Sequence, residues 1–259
     1  MNDMVKVYQN SQLFLKENLS FLLRNKYASS LIVLNTKNMK DIGNSNYLIK
    51  VSKDDKTLIA CRLVPYNTLL YGDHECLDEL LSFIKSNDYE LPGIMCSTTI
   101  GDHLNDYIKV ISMDFMEANE ITEESSENIK IATLDDVDEI AYLSSLFFKE
   151  CGLTDKVNRE KIIERIDSYR LIKKDNKIIS MARHSYDTET SDRISMVYTR
   201  KEYRGYHYAK EVVNSVKNEI IRDGKIATLN VDQSNPISNH LYSRLGFKKV
   251  FSQGIYLPK

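Results

Sequence analysis

The chain has 259 residues, 42% apolar and 28% charged, with 35 Lys and Arg against 37 Asp and Glu for a formal charge of −2. That balance excludes a disordered chain and a generally basic nucleic-acid binder, and the length suits two ordinary domains or one large one. Four cysteines (Cys61, Cys76, Cys96 and Cys151) lie far apart without a C-x-x-C pair, which argues against a zinc site and a disulfide scaffold, so no metal is expected. No apolar run approaches the roughly 18 residues of a membrane span. Lys16, Glu17, Arg24 and Lys26 interrupt the first apolar stretch, which does not read as a signal peptide. The expectation is a cytoplasmic protein with no membrane partner.

Helical segments are predicted near Asn10–Asn25, and Tyr47–Ser52 with Thr57–Leu63 reads as a strand pair around Asp54-Asp55. Glu75–Lys85 reads as a helix, Gly93–Cys96 as a short strand and Asp102–Lys109 as another helix. A possible strand-to-helix junction, Leu70-Tyr71-Gly72-Asp73-His74-Glu75, carries two acidic residues that would repel a diphosphate. The stretch from Glu117 to Asn128 is polar and acidic and reads as an exposed connection between domains. A cut after Glu127 gives domains 1–127 and 128–259 with net charges of −7 and +5. A modest positive field on the second would suit an anionic ligand, although an excess of this size also arises by chance.

The C-terminal half has a clear rhythm. Ile129–Thr133 alternates like a strand, and Asp135-Asp136 opens a helix that runs to Phe148. A second helix covers Asn158–Ile166, and Tyr169–Lys173 and Lys177–His184 are strands joined by a turn at Lys174-Asp175-Asn176. Arg193–Thr199 is a strand. Tyr208–Arg222 is an amphipathic helix with Val212, Val213, Val216, Ile220 and Ile221 on one side, stopped by Asp223-Gly224. Ile226–Val231 is an apolar strand. Asn235-Pro236 caps and starts a helix with Ile237, Leu241 and Leu245 inside, Gly246 ends it, and Val250–Leu257 is a last strand. The order β-α-α-β-β-β-α-β-α-β is echoed more weakly in the first half, which suggests a diverged repeat.

The most informative segment runs from Val197 to Ala209, where a strand leads through a short turn to a helix start. The first amides of a helix lack internal acceptors and carry partial positive charge, so a loop folded there can direct several N–H groups at one pyrophosphate. Gly205 permits the tight turn, Ala209 keeps the helix start uncrowded and Arg204 adds charge. On the next helix Tyr242 follows Asn235 by seven residues, so both lie on the same side.

These segments resemble the GNAT N-acetyltransferase superfamily. Its phosphate motif, [Q/R]-x-x-G-x-[G/A], is matched by Arg204-Gly205-Tyr206-His207-Tyr208-Ala209, and N-x-x-[A/S]-x-x-x-Y-x-x-x-G-F by Asn235 to Phe247. The match is specific over 193–249 and extends across 129–259. The first half is similar to the degenerate first lobe of tandem GNAT proteins, including a Leu91-Pro92-Gly93 element. The implied fold is α/β (α+β), a GNAT-like mixed central sheet flanked by helices in the C-terminal half, preceded by a diverged GNAT-like N-terminal lobe. The fourth motif position, normally Gly, is His207 here. Its side chain either crowds the pyrophosphate or points outward and leaves the amides usable.

The resemblance implies acetyl-CoA as acyl donor and an unidentified amine, on a small molecule or a protein, as acceptor. Amides of Gly205, Tyr206, His207, Tyr208, Ala209 and Lys210 would hold the pyrophosphate, and backbone groups of Val197, Tyr198 and Thr199 would pair with the pantetheine arm. An N–H near Tyr198 would stabilise the oxyanion, a contact worth roughly 3–4 kcal/mol of barrier. Asn235 would contact the pantetheine, and Tyr242 would protonate the leaving thiolate, a role open to a phenol that is still protonated at neutral pH. Lys210, Arg244, Lys248 and Lys249 could meet the 3′-phosphate. For the base, Glu150, His184, Glu189, Asp192 and an ordered water are equal on spacing. One coenzyme site per chain is expected. The alternatives are a non-catalytic coenzyme-A-responsive module and a transferase for a longer acyl-CoA. There is no dedicated nucleic-acid motif, and a homodimer is an open option.

Overall fold

The computed structural model describes residues 4–152 and 156–259. Two compact units separate: one takes the chain up to Asp114 together with Phe251–Lys259, the other takes Phe115–Val250. Relative to a sequential division at 127, residues 115–127 fall in the second unit and the last nine residues fall in the first.

In the first unit the order is β1 (Met4–Val7), α1 (Ser11–Leu22), α2 (Lys26–Asn38), β2 (Tyr47–Lys53), β3 (Lys56–Arg62), β4 (Thr68–Gly72), α3 (Leu77–Ser86), β5 (Ile94–Ser97), α4 (Thr98–Gly101) and β6 (Tyr107–Ala118). The chain continues with β7 (Lys130–Ile131), α5 (Val137–Glu150), α6 (Arg159–Ile163), β8 (Tyr169–Lys174), β9 (Lys177–Thr188), β10 (Ser191–Thr199), α7 (Tyr208–Arg222), β11 (Ile226–Asp232), α8 (Pro236–Arg244) and β12 (Lys248–Pro258). The two series have the same order, β-α-α-β-β-β-α-β-α-β. Their pairings also agree: β1–β2, β2–β3 and β3–β4 are antiparallel like β7–β8, β8–β9 and β9–β10, and β4–β5 is parallel like β10–β11. The fold is therefore a diverged repeat. Within the first unit, the end of β12 pairs antiparallel with β5, Gln253 opposite Ser97.

Each sheet is covered on both faces. In β2, Tyr47, Ile49 and Val51 face a core with Leu77, Leu80 and Ile84 of α3, while Leu48 faces the other way onto Phe14, Leu22 and Ile32 of α1 and α2. This is the period-two alternation of a strand. In the second unit Ile179, Ala182 and Ile194 meet Val212, Val213, Val216 and Ile220 of α7, while Leu171, Met181 and Tyr198 meet Val137, Ile140 and Leu143 of α5. Burying each α7 valine or isoleucine is worth about 1.5–3 kcal/mol, which holds this helix and its N-terminus on the sheet.

Two expectations are corrected. Residues 102–109 are not a helix: the chain winds out of short α4 through Asp102 N–H to Thr98 O and His103 N–H to Ile100 O, and β6 starts at Tyr107. Turn-forming Asp102, Asn105 and Asp106, followed by Ile108, Val110 and Ile111, favour a turn and a strand over a helix. The acidic stretch after β6 is exposed at most of its positions, as expected, but it belongs to the second unit rather than connecting two domains. Asn214 donates to the carbonyls of Glu123 and Glu124, Asn218 to Glu123 O and Ser125 Oγ, and Arg222 to the Glu124 carboxylate. Residues 122–125 lie along α7 as a strap. Lys217, fully buried in mid-helix, donates to Thr122 Oγ1 and to Leu245 O, and burial draws its ammonium below the ordinary lysine value. Helix α2 and strand β1 were not anticipated.

Candidate functional site

Strand β10 builds the site by leaving its neighbour. It pairs with β11 only through Ser191, Asp192 and Arg193, opposite Ile226, Ala227 and Thr228, while the chain continues in strand to Thr199. On its other edge the pairing with β9 shifts register between Ser195 and Tyr198, where Met196 adopts φ +52°. This bulge redirects the strand. Val197, Tyr198 and Thr199 thus border a gap between two parallel strands.

A tight turn then carries the chain into α7. Gly205 has φ +86° with open space where a Cβ would stand, and His207, the residue before the helix, has φ +64° and ψ 8°. The motif position normally held by Gly therefore keeps a left-handed backbone although its residue is His, at a cost of about 1–2 kcal/mol. His207 and Tyr206 are solvent-exposed, and Tyr206 and Tyr208 lie ring to ring at 6.1 Å. With the amides at the start of α7 unsatisfied inside the helix, the turn fits an anionic group. The corresponding turn of the first unit is closed. Gly72 abuts Thr57 O so tightly that a Cβ would lie 2.0 Å from it, and Asp73 Oδ2 accepts from Thr57 N.

Arg204 does not point at the turn's amides. Its Nε donates to Thr199 O at 3.0 Å, its Nη2 to Glu150 Oε2 at 2.7 Å, and its guanidinium lies 5.5 Å from the Tyr198 ring centroid. Thr199 O is thereby occupied, and Thr199 Oγ1 shares a hydrogen bond with Ser180. The Tyr198 hydroxyl donates to Glu150 Oε1, so its ring is a packing group. Burial acts to raise the Glu150 carboxyl, but the hydrogen bond and charge of Arg204 outweigh it and leave Glu150 below the ordinary range. Burial, with Glu150 alongside, raises the Tyr198 phenol. A cavity of about 430 Å³ opens here, bordered by Tyr142, Leu146, Glu150, Tyr198, Arg200 and Lys201 among others.

The Lys210 ammonium is held by Glu123 Oε2 at 2.8 Å. Asn235 is the α8 cap, accepting from Ser238 N at 3.0 Å, and its side-chain NH2 has no partner among the described residues. Tyr242 is 7% exposed, packs edge-on against Phe247, and its hydroxyl has no hydrogen-bond partner among the described residues. Burial pushes its pKa up to about 12, with Cys151 adding to the effect. Arg244, Lys248 and Lys249 are exposed.

The base candidates part company. Glu150 sits in the arginine network just described. His184 Nε2 and Asp192 Oδ2 come together at 2.8 Å, with Lys225 on the same oxygen at 2.9 Å, and Glu189 is exposed. Ile194 faces the α7 core, so Asp192, two residues earlier on the strand, shares the α7 side. Burial acts to raise Asp192, but His184 and Lys225 together hold it below the ordinary range. The residue missed from sequence is Asn230 of β11, whose Oδ1 is buried with no partner among the described residues. Nothing in its sequence context marks it, because the signal is the departure of β10.

The family model described as FR47-like protein matches residues 173–255, less than half of the chain. No curated protein matches the chain. Among solved structures, a GNAT-family acetyltransferase from Colwellia psychrerythraea is 12% identical over 98% of this chain and 99% of that one, with a TM-score of 0.63. A GCN5-related N-acetyltransferase from Sphaerobacter thermophilus is 14% identical over 98% and 94%, with a TM-score of 0.64. A third, from Kribbella flavida, is 11% identical over 90% and 94%, at 0.57. At these identities the likeness is one of fold: this chain has the GNAT acetyltransferase fold, with a segment at 173–255 similar to the FR47-like family.

Proposed function

We propose that the second unit is an N-acetyltransferase that takes its acyl group from acetyl-CoA and passes it to a primary amine. The observation that carries this reading is the open left-handed turn at Gly205 and His207, set between a splayed strand and the start of a fifteen-residue helix. A diphosphate suits that turn because the amides from Gly205 through Lys210 present fixed donors and the helix dipole favours negative charge. When bound, acetyl-CoA supplies an activated acyl carbonyl and a thiolate leaving group.

The remaining work falls to this chain. Backbone groups of Val197 and Tyr198, released from β11, take the amide-bearing arm as an added strand, and Asn230 Oδ1 waits for an N–H donor beside them. An N–H at the bulge stabilises negative charge on the carbonyl oxygen. The Tyr242 hydroxyl, without a hydrogen-bond partner among the described residues and still protonated at neutral pH, delivers a proton to the leaving sulfur. Arg204 acts through its grip on Thr199 and Glu150, shaping the turn rather than touching phosphate. Lys210 contributes a charge shared with Glu123.

The ion pairing of Glu150 and Asp192 leaves neither carboxylate suited to accept a proton, which favours an ordered water over either of them as the amine's proton acceptor. The same observation favours a second reading, a module that binds coenzyme A without turnover. Calorimetric titration with acetyl-CoA and a thiol-release assay over an amine panel separate the two. Micromolar binding with thiol release supports transfer, binding without release supports the second reading, and no binding at millimolar concentration removes both.

A further inference from the structure

On the α5 face of β9 and β10 lies a polar cluster that this reading does not use. Arg183 Nε donates to Ser185 Oγ at 2.9 Å and to Ser195 Oγ at 3.2 Å, and the two hydroxyls share a hydrogen bond of 2.8 Å. Arg183 stands directly across the strand pair from Ser195, and Arg193 across from Ser185. Arg193 is answered by Asp187 at 2.6 Å, and Asp187 also accepts from Thr228 Oγ1 of β11. Among the described residues no carboxylate comes within ion-pair distance of Arg183, although Arg159, Arg170, Arg193, Arg200, Arg204 and Arg222 of this unit each have one. The Nε of Arg193 is buried with no acceptor among the described residues. The cluster thus holds two guanidinium groups and one carboxylate, a surplus of one positive charge on a half-buried sheet face.

Its position is specific. Ser195 immediately precedes Met196, the bulge residue, and Val197 follows. At about 3.3 Å per residue the serine pair lies roughly 7 Å along the strand from Val197. Tyr169, in the core beneath α5, lies under the Arg183 guanidinium at 5.9 Å, so the side chain is fixed toward this face.

We infer that this cluster receives a carboxylate carried by the acceptor amine, so that the acceptor class is amino acids rather than simple amines. The inference rests on the transferase reading of the same unit. A guanidinium with hydroxyl neighbours offers the fork geometry that a carboxylate takes. A surplus of one positive charge matches a monoanion, whereas a doubly charged phosphate would be left facing Asp187 unbalanced. The separation from Val197 is of the size needed for a compact amine to reach the bulge while its carboxylate stays on Arg183.

The test compares acceptors that differ only in the carboxylate, alanine against ethylamine and lysine against cadaverine, in the wild type, Arg183→Gln and Arg183→Lys. Loss of a charge-assisted hydrogen bond predicts a kcat/KM preference of about tenfold or more for the amino acids. That preference collapses in Arg183→Gln, is partly retained in Arg183→Lys, and leaves coenzyme A affinity unchanged. A wild-type ratio near one, or a ratio unmoved in Arg183→Gln, overturns the inference. Thermal shift in the presence of coenzyme A gives a readout independent of turnover: alanine and lysine stabilise the wild type, ethylamine and cadaverine do not, and Arg183→Gln abolishes the effect. An absent shift with coenzyme A bound overturns the inference alone, while absent coenzyme A binding overturns the underlying reading.

Discussion

Glu123 and Lys210 meet at 2.8 Å, and they join the strap after β6 to the first turn of α7. Lys210 lies three residues after His207 of the phosphate turn. Lys210→Glu sets two carboxylates against each other. It is expected to lower the melting temperature modestly, the half-exposed pair being worth on the order of 0.5–1 kcal/mol, and to weaken coenzyme A binding about tenfold or more. The charge swap Glu123→Lys with Lys210→Glu restores the strap. Calorimetry on the swapped variant is expected to show recovered stability with binding still impaired, and recovered binding would assign Lys210 to the strap alone.

His207 is held at φ +64° by the turn and not by a preference of its own. His207→Gly removes the left-handed penalty and is expected to stabilise the fold by about 1 kcal/mol, read as a shift of the urea midpoint. Because the ring is exposed and Gly205 faces open space, the variant retains coenzyme A binding with equal or tighter affinity. A destabilised variant would mean that the imidazole makes a contact the turn depends on.

Helix α7 carries two stripes, one legible from its own spacing and one that only a distant segment explains. Val212, Val213, Val216 and Ile220 advertise one buried face by their spacing, and the helix follows. Lys210, Asn214, Lys217 and Asn218 form a second stripe at the same helical period, which looks like a solvated side until the acidic strap lies across it. The partner lies some ninety residues away in sequence and is itself polar, so neither segment carries an apolar signal. The phosphate turn was legible because glycine and helix-start chemistry are local. The pairing of Arg204 with Glu150, the splay of β10 and the burial of Asn230 Oδ1 are long-range features that no local spacing encodes. The helix expected at 102–109 failed for a related reason, since the β-branched residues that begin β6 only declare themselves beyond Tyr107.

Burial pushes the hydroxyls of Tyr47, Tyr242 and Tyr256 and the thiols of Cys61 and Cys96 up to about 12, from ordinary values of 10.0 and 9.0. A raised folded-state value means that the folded chain keeps a proton the unfolded chain has already lost. The stability so conferred is complete below the unfolded values and is lost as pH climbs toward 12. Urea midpoints are expected to fall progressively above about pH 9, and Cys61→Ala is expected to flatten the first part of that fall. A midpoint independent of pH between 9 and 11 would contradict the burial of these groups.

Tyr242 is the sharpest case because its ring and its hydroxyl have separate roles. The ring is buried against Phe247, so Tyr242→Phe keeps the packing, and with no hydrogen bond among the described residues to lose the variant is expected to retain stability within about 1 kcal/mol. Acetyl-CoA affinity is expected to be unchanged, since the amides at 205–210 hold the diphosphate. Turnover is expected to fall by about 10²-fold or more, the usual contribution of a positioned acid. With its pKa near 12, the phenol stays protonated across the physiological range, so the wild-type rate shows no decline from loss of this proton below about pH 11. Single-turnover kinetics at two pH values measures both quantities, and undiminished turnover in Tyr242→Phe would assign the proton to water and leave Tyr242 a packing residue.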